Sequence, residues 1–510
     1  MSTQSNNNKR IAKNTLLLYF RMFGIMAVSL YTSRVVLKTL GVEDFGIYNV
    51  VGGVVAMFAF INSAMASTTQ RYLTFELGKN NIYALNRVFC VSMLIHIMIA
   101  SIIFVLGETI GLWFFYNKMF FPAERIDAAL LVYQLSILST IVMIVSAPYN
   151  ACIIAHEKMS AFAYISVLEV LIKLGIVYVL WLTPWDKLKL YAILMFLAQV
   201  LIRIIYGRYC SRNFSETKFK MVRNKSLFKE MLSFAGWNLW GNCASVFYTQ
   251  GLNILLNMFF GPVVNAARGI AVQVQAAIMQ FSNSFQTALN PQITKSYATN
   301  DLNYMHRLIF NASKYTFFLM LFLSVPVLLN MPFLLKIWLS EYPEYTVSFS
   351  RLMICCTIVD AVANPLMISA SATGNVRKYQ SLIGGILLCI LPVSYLVLRL
   401  GANPMSVFIV HLAICVIAFI VRLFVVRPMI SLSIVAYCKE VVLKVFLVCL
   451  ISLVVPCLEY IYIDGEAYRF VITSVTSFIA TLLAVYFAGL NNSEQLFVKR
   501  HIVRILMLRK

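Results

Sequence analysis

Fourteen apolar runs, each about 20 residues long and separated by short polar breaks, constrain this chain more than any other feature it has. They fall near residues 14–37, 45–66, 88–112, 128–153, 160–182, 188–207, 233–258, 264–288, 314–335, 347–370, 380–399, 403–424, 441–460 and 469–489. As a helix, each is long enough to cross a hydrocarbon core of about 30 Å. A chain of 510 residues that is 61% hydrophobic and only 12% charged has no soluble core able to hide that surface. The sequence therefore predicts an all-α polytopic membrane protein with about 14 transmembrane helices.

The runs also repeat. Gly41, followed by Asn80, Asn81, Leu85, Asn86 and Arg87, is echoed 220 positions later by Gly261, Asn300, Asp301, Met305, His306 and Arg307. Trp113 after the third run is echoed by Trp338 after the ninth, and a Ser146-Ala147-Pro148-Tyr149-Asn150 break in the fourth by Ala363-Asn364-Pro365 in the tenth. A long period made of several membrane helices marks two related halves. The expected organisation is a six-helix bundle over 1–208 with a short N-terminus, then a basic linker at 209–232. A second six-helix bundle over 233–424 follows, and 425–510 adds two helices and a basic amphipathic tail.

The net charge of +22 does not point to nucleic acid, because no soluble domain exists to carry a basic binding stripe. With both termini in the cytoplasm, most of the 42 Lys and Arg fall in cytoplasmic segments, as membrane insertion favours. The loop 208–229, with Arg208, Arg212, Lys218, Lys220, Arg223, Lys225 and Lys229, is expected to rest on anionic lipid. So is a surface helix over Leu496 to Lys510. Arg21 interrupts the first run and no small-residue cleavage site follows, so that run is read as a retained span and not a signal peptide. The eleven cysteines show no metal-like spacing and are read as packing residues.

Charges inside a membrane are costly and need a partner or a task. Six basic residues within the runs are read as intramembrane charges: Arg21, Arg34, Lys173, Arg203, Arg268 and Arg351. Arg34 and Arg203 are near run ends, where a long side chain reaches the interface. Lys173 follows Glu169 by one helical turn, which fits a structural ion pair or a proton-handling site. Arg268 shares a helical face with Gln275, Ser282 and Gln286, while Asn238, Asn242, Ser245, Thr249 and Asn253 form a polar stripe on the seventh run. Asn14, Arg21 and Thr32 share a face on the first. Such stripes face a water-filled cavity or bind helices to one another, and the arginines favour the cavity. Deep acids are few, chiefly Glu169 and Asp360, so the cavity is expected to be positive and to suit an anionic substrate, with arginine gripping phosphate oxygens. His96 and His411 are read as packed, hydrogen-bonded side chains. No GxxxxGK[ST] loop and no nucleophile cluster occurs in the sequence, so the chain reads as a non-enzyme without cofactor or metal, driven by a proton or sodium gradient or by the substrate's own gradient.

Residues 29–55 (SLYTSRVVLKTLGVEDFGIYNVVGGVV), 110–139, 147–177 and 372–388 (ATGNVRKYQSLIGGILL) resemble the Wzx-type polysaccharide flippases of the multidrug/oligosaccharidyl-lipid/polysaccharide (MOP) exporter superfamily. The resemblance implies two six-helix bundles in a V-shaped, MATE-like arrangement and alternating access. It also implies a substrate: a short glycan on undecaprenyl diphosphate, carried to the periplasmic leaflet of the bacterial inner membrane for O-antigen or capsule. Membrane lipids and, alongside them, glycan polymerase and glycosyltransferases are the implied partners. By helix position it places Arg21 and Arg268 in the cavity, where they are expected to contact the diphosphate; the polar faces add Asn14, Asn238, Asn242, Asn253, Gln275 and Gln286 as cavity lining, and Glu169, Lys173 and Asp360 are the candidates for ion coupling. The predicted second run carries no deep arginine, which argues against lipid II as the cargo. A drug or cation antiporter of the same superfamily is the nearest rival.

Overall fold

The computed structural model describes residues 2–499 apart from 57–58, 119–120, 221–223, 340, 493 and 497–498. The described residues form helices and no strands. In chain order these are α1 (Ser2–Ala56), α2 (Ala59–Gly78), α3 (Ile82–Leu106), α4 (Leu112–Lys118), α5 (Ile126–Ala155), α6 (Met159–Leu182), α7 (Lys187–Asn213) and α8 (Lys225–Ala298). Then come α9 (Leu302–Leu329), α10 (Met331–Leu339), α11 (Thr346–Ala372), α12 (Arg377–Leu388), α13 (Ile390–Arg399), α14 (Met405–Ile430), α15 (Ile434–Tyr437), α16 (Leu443–Tyr462) and α17 (Glu466–Ala484). Among the described residues, ten helical stretches are long and apolar enough to cross a membrane. Residues of the first, second, seventh and eighth predicted runs are helical too, within α1, α2 and α8.

The repeat is written into the backbone. Gly41 (φ 80°, ψ 169°) breaks α1, and Gly261 (φ 78°, ψ −173°) breaks α8. This region of φ/ψ space is closed to residues with a Cβ, so only glycine serves at both places. Asn80 and Asn300 are left-handed at φ 54° and 57°. Each ends its helix the same way: Asn80 N bonds Leu77 O at 3.1 Å and Asn81 N bonds Glu76 O at 3.3 Å, while Asn300 N bonds Tyr297 O at 3.0 Å and Asp301 N bonds Ser296 O at 2.9 Å. A further pair was not read from the sequence: Glu157 (φ 57°) and Gly374 (φ 83°) each follow a helical proline, Pro148 or Pro365, by nine positions. Those prolines do not break their helices as expected; α5 and α11 run straight through them, the surrounding packing outweighing one lost hydrogen bond.

The chain divides into two compact units, one of residues 1–242, 287–301 and 374–377, the other of 243–286, 302–373 and 378–510. The first packs α5 against α7, α2 and α3, and α1 against α6, around Leu73, Phe89, Ile95, Cys152 and Ile153. The second packs α11 against α14 and α9 around Leu252, Leu256, Phe349, Met353 and Phe408. Its α16 and α17 pair with each other and lie on α9, with Leu447, Leu450, Ile451, Val454 and Leu458 left exposed for lipid. Lys314, only 1% exposed, anchors that attachment: its Nζ is 3.0 Å from Glu494 Oε2, and Tyr315 donates to Glu494 at 2.6 Å. Burial alone raises the Glu494 carboxyl, but the Tyr315 bond, the Asn491 N–H and Lys314 hold it below the usual carboxylate range.

The basic segment expected over 208–229 is shorter, because α7 continues to Asn213 and α8 begins at Lys225 under an Asn224 cap. Between them Glu216 and Thr217 are buried, and Asn86 fastens the segment by donating to the Glu216 and Lys218 carbonyls at 2.7 and 3.0 Å. Of the surface helix expected over Leu496 to Lys510, residues 497–498 and 500–510 lie outside the described residues.

Candidate functional site

Arg268 is the deepest of the expected site residues in chemical terms. A guanidinium has five N–H donors and cannot shed its charge, so burying one requires acceptors. Arg268 is 4% exposed; one terminal nitrogen donates to Asn253 Oδ1 and the other to the Thr249 carbonyl at 2.7 Å. Along a straight helix Asn253 and Arg268 would stand about 22 Å apart. The break at Gly261 turns the chain back and brings them together. Both acceptors are neutral, Nε has no hydrogen bond, and among the described residues no carboxylate pairs with Arg268. The positive charge is held in place without being cancelled. Asn253 also donates to Gln250 at 3.0 Å, so its amide is fixed at both ends.

The rest of the eighth-run stripe binds helices. Gln275 donates to Thr357 of α11 at 2.9 Å, and Gln286 to Ser282 at 3.0 Å and to the Ala361 carbonyl at 3.3 Å. A polar stripe serves a neighbouring helix as well as it serves a cavity, and sequence periodicity does not separate the two. In the first unit, Asn14 is 5% exposed and donates to the Glu157 carbonyl at 3.3 Å, Asn238 is buried, and Asn242 donates to Ser63 at 3.3 Å. Arg21 stacks over the Phe162 ring at 4.4 Å and leaves Nε without a hydrogen bond. Glu169 is close enough to act on Arg21 electrostatically, and it pairs with Lys173 at 2.6 Å. In the second unit Asp360 lies 3.5 Å from Arg422. Both deep acids therefore face cations.

Arg203 and Arg351 resolve into structural roles, Arg203 over Tyr149 at 4.0 Å and Arg351 capping α9 through the Leu328 and Leu329 carbonyls at 2.8 and 3.2 Å. The side chain of Arg34 lies outside the described residues. Three buried cations were missed: Arg71, Lys314 and Arg422. Arg71 is the instructive one. It falls outside the predicted second run, yet α2 continues to Gly78 and carries it among Tyr72, Phe75 and Phe234, with ring centroids at 4.5, 4.7 and 5.6 Å. The signal available was the aromatic spacing around it. Also missed was a cluster of Cys152, His156 and Glu216, in which His156 and Cys152 both engage Glu216 Oε1. Burial raises that carboxyl, but the His156 hydrogen bond and the backbone carry it below the ordinary carboxylate value. His96 is buried, its Nδ1 2.8 Å from the Ser92 carbonyl oxygen, whereas the ring nitrogens of His411 meet no oxygen or nitrogen partner among the described residues.

The class this architecture defines is a multi-span helical membrane protein with a MATE-like fold. Three solved structures show it. An outward-facing multidrug resistance MATE family transporter of the MOP superfamily matches with TM-score 0.71 and 13% identity over 83% of this chain and 96% of that one. A MATE transporter in its bent conformation matches with TM-score 0.72 and 13% identity over 85% and 96%. A MOP superfamily transporter from Pyrococcus furiosus, described as having a binding pocket of reverse polarity that suggests a different function, matches with TM-score 0.69 and 13% identity over 83% and 96%. No curated protein matches the chain. The polysaccharide biosynthesis protein family model matches residues 11–297, and the chain belongs to that family, of Wzx type.

Proposed function

We propose that this protein is an exporter of undecaprenyl-diphosphate-linked oligosaccharide repeat units. In this reading it moves them across the bacterial inner membrane by alternating access, for O-antigen or capsule synthesis, with both termini cytoplasmic. Membership of the polysaccharide biosynthesis family supports the glycan, and the transporter fold supports movement rather than chemistry. One observation carries the substrate's charge: the buried Arg268 guanidinium is oriented by Asn253 and the Thr249 carbonyl, neutral groups that leave its charge available to an anion. Arg21, stacked on an aromatic ring beside a Glu169 already paired with Lys173, is assigned the same role in its own unit. Asn238 and Asn242 are assigned to sugar hydroxyls, which need neutral donors and acceptors. The antiporter alternative would want acids free to bind cations, yet Glu169 and Asp360 are engaged by Lys173 and Arg422.

The test is surface-glycan export in cells carrying Arg268→Ala or Arg268→Lys, with protein abundance measured in the membrane. Arg268→Ala should abolish export at normal abundance, and Arg268→Lys, which keeps the charge but loses the fork, should retain a small part of it. Export by Arg268→Ala at the wild-type level, with the protein normally abundant, would overturn the assignment.

A further inference from the structure

The second unit brings three metal-binding side chains together on α11 and α14. Cys356 lies on α11; His411 and Cys415 lie one turn apart on α14, and the two helices pack together. One ligand atom from each falls within 4.8 Å of the other two. All are enclosed, with Cys356 and Cys415 each 1% exposed and His411 7%. The ring nitrogens of His411 meet no oxygen or nitrogen partner among the described residues, and its polar neighbour is the Cys415 thiol. A buried imidazole ordinarily satisfies at least one nitrogen, and here it is left facing sulfur. The sequence alone predicts a hydrogen-bonded His411 and no metal-like cysteine spacing. Cys356 and Cys415 come from separate helices, and only the His411-x-x-x-Cys415 spacing was visible.

We propose that Cys356, His411 and Cys415 form a zinc(II) site. Two thiolates and an imidazole are a donor set that zinc accepts, whereas sodium, magnesium and calcium require oxygen. The charge also fits: two thiolates cancel the two charges of zinc, so the loaded site is neutral, the state a low-dielectric interior tolerates best. At about 2.3 Å for Zn–S and about 2.0 Å for Zn–N, tetrahedral ligand atoms stand roughly 3.5–3.8 Å apart. The observed trio closes to that spacing with a shift of about 1 Å, well within side-chain rotation. Three protein ligands leave one position open. His411 lies about 9 Å along α14 from its first residue, at 1.5 Å per residue, so the ion would tie α11 to α14 inside their packed length.

The experiment uses the full-length protein in detergent. After chelator treatment and gel filtration, zinc is titrated against a chromophoric competitor, and cobalt(II) is titrated in parallel for its thiolate charge-transfer and tetrahedral ligand-field bands. The wild type should take up one tight equivalent of zinc and show both cobalt bands. Cys356→Ser, Cys415→Ser and His411→Gln should each weaken binding at least tenfold, while Cys152→Ser, in the other cysteine cluster, leaves it unchanged. Because a variant can fail for lack of folding, a second measurement uses the wild type alone. X-ray absorption at the zinc edge should show about two sulfur neighbours at about 2.3 Å and an imidazole nitrogen at about 2.0 Å, and a spectrum with oxygen neighbours alone would overturn the site. Only weak, non-stoichiometric zinc, or binding unaltered in the Cys356→Ser/Cys415→Ser double variant, would overturn the site. Neither readout depends on export, so the fate of the transport assignment and of the metal site can be told apart.

Discussion

The connection between α5 and α6 offers the sharpest energetic test. Glu157 adopts a left-handed backbone there, and its carboxylate is 1% exposed as a side chain. Oε1 accepts from Lys295 Nζ and Oε2 from Gln292 Nε2, both at 2.6 Å, and both donors lie on the last turns of α8. The two partners are unequal, because the Lys295 side chain is 24% exposed and can fall back on water. Removing one partner of a buried pair costs about 3–5 kcal/mol when the other charge is stranded. Lys295→Met strands the carboxylate, and with Gln292 still donating the loss should lie near the lower end, about 3 kcal/mol. Glu157→Gln strands a lysine that water can reach, so about 1–2 kcal/mol is expected, close to the loss of one charge-assisted hydrogen bond. The double variant should recover part of the sum, with a coupling energy of about 1–3 kcal/mol. Reversible unfolding in mixed micelles, run as a double-mutant cycle, measures all three. Equal losses in the two single variants, or a coupling below about 0.5 kcal/mol, would refute the claim that a buried carboxylate is being neutralised here.

Two further outcomes follow from the backbone and from the loop after α7. Gly261→Ala places a Cβ in a region closed to it and should destabilise by about 1–3 kcal/mol, as should Gly41→Ala; the positions belong to different compact units, so unfolding of the double variant should show near-additive losses. Because Glu216 is held below its ordinary carboxylate value, its contribution is complete above the unfolded carboxylate value of about 4.3 and is lost as pH falls through the lower folded one. Acid unfolding monitored by thermal stability should therefore be less steep in Glu216→Gln than in the wild type, with the variant already weakened at neutral pH.

How far the fold was legible depends on whether the cause was local. Runs of apolar residues predict helices because burial is a property of each segment, and the Gly41/Gly261 and Asn80/Asn300 echoes were visible because a positive φ admits few residue types. Glu157 and Gly374 share a conformation without sharing a residue, so that echo was silent. The site was less legible for a different reason. Hydropathy assigned Arg71, Lys314 and Glu216 to run ends or loops, and nothing in a single sequence announces that Lys314 meets Glu494 across 180 positions or that Glu216 meets His156 across 60. Periodicity marks the amide stripe but does not separate a cavity face from a helix-binding face; Gln275 and Gln286 bond to α11 while Asn253 turns toward Arg268.

That division bears on mechanism. If Arg268 were simply another helix-binding residue, an acid would be the cheaper partner, since pairing returns part of the desolvation cost. Arg422 and Lys314 follow that rule with Asp360 and Glu494. Arg268 instead rests on an amide oxygen and a backbone carbonyl, which fix its direction and leave its charge uncompensated among the described residues. Within one unit, the same chain thus treats buried cations in two ways. The one left uncompensated among the described residues is the one that the proposed function assigns to an anionic lipid headgroup.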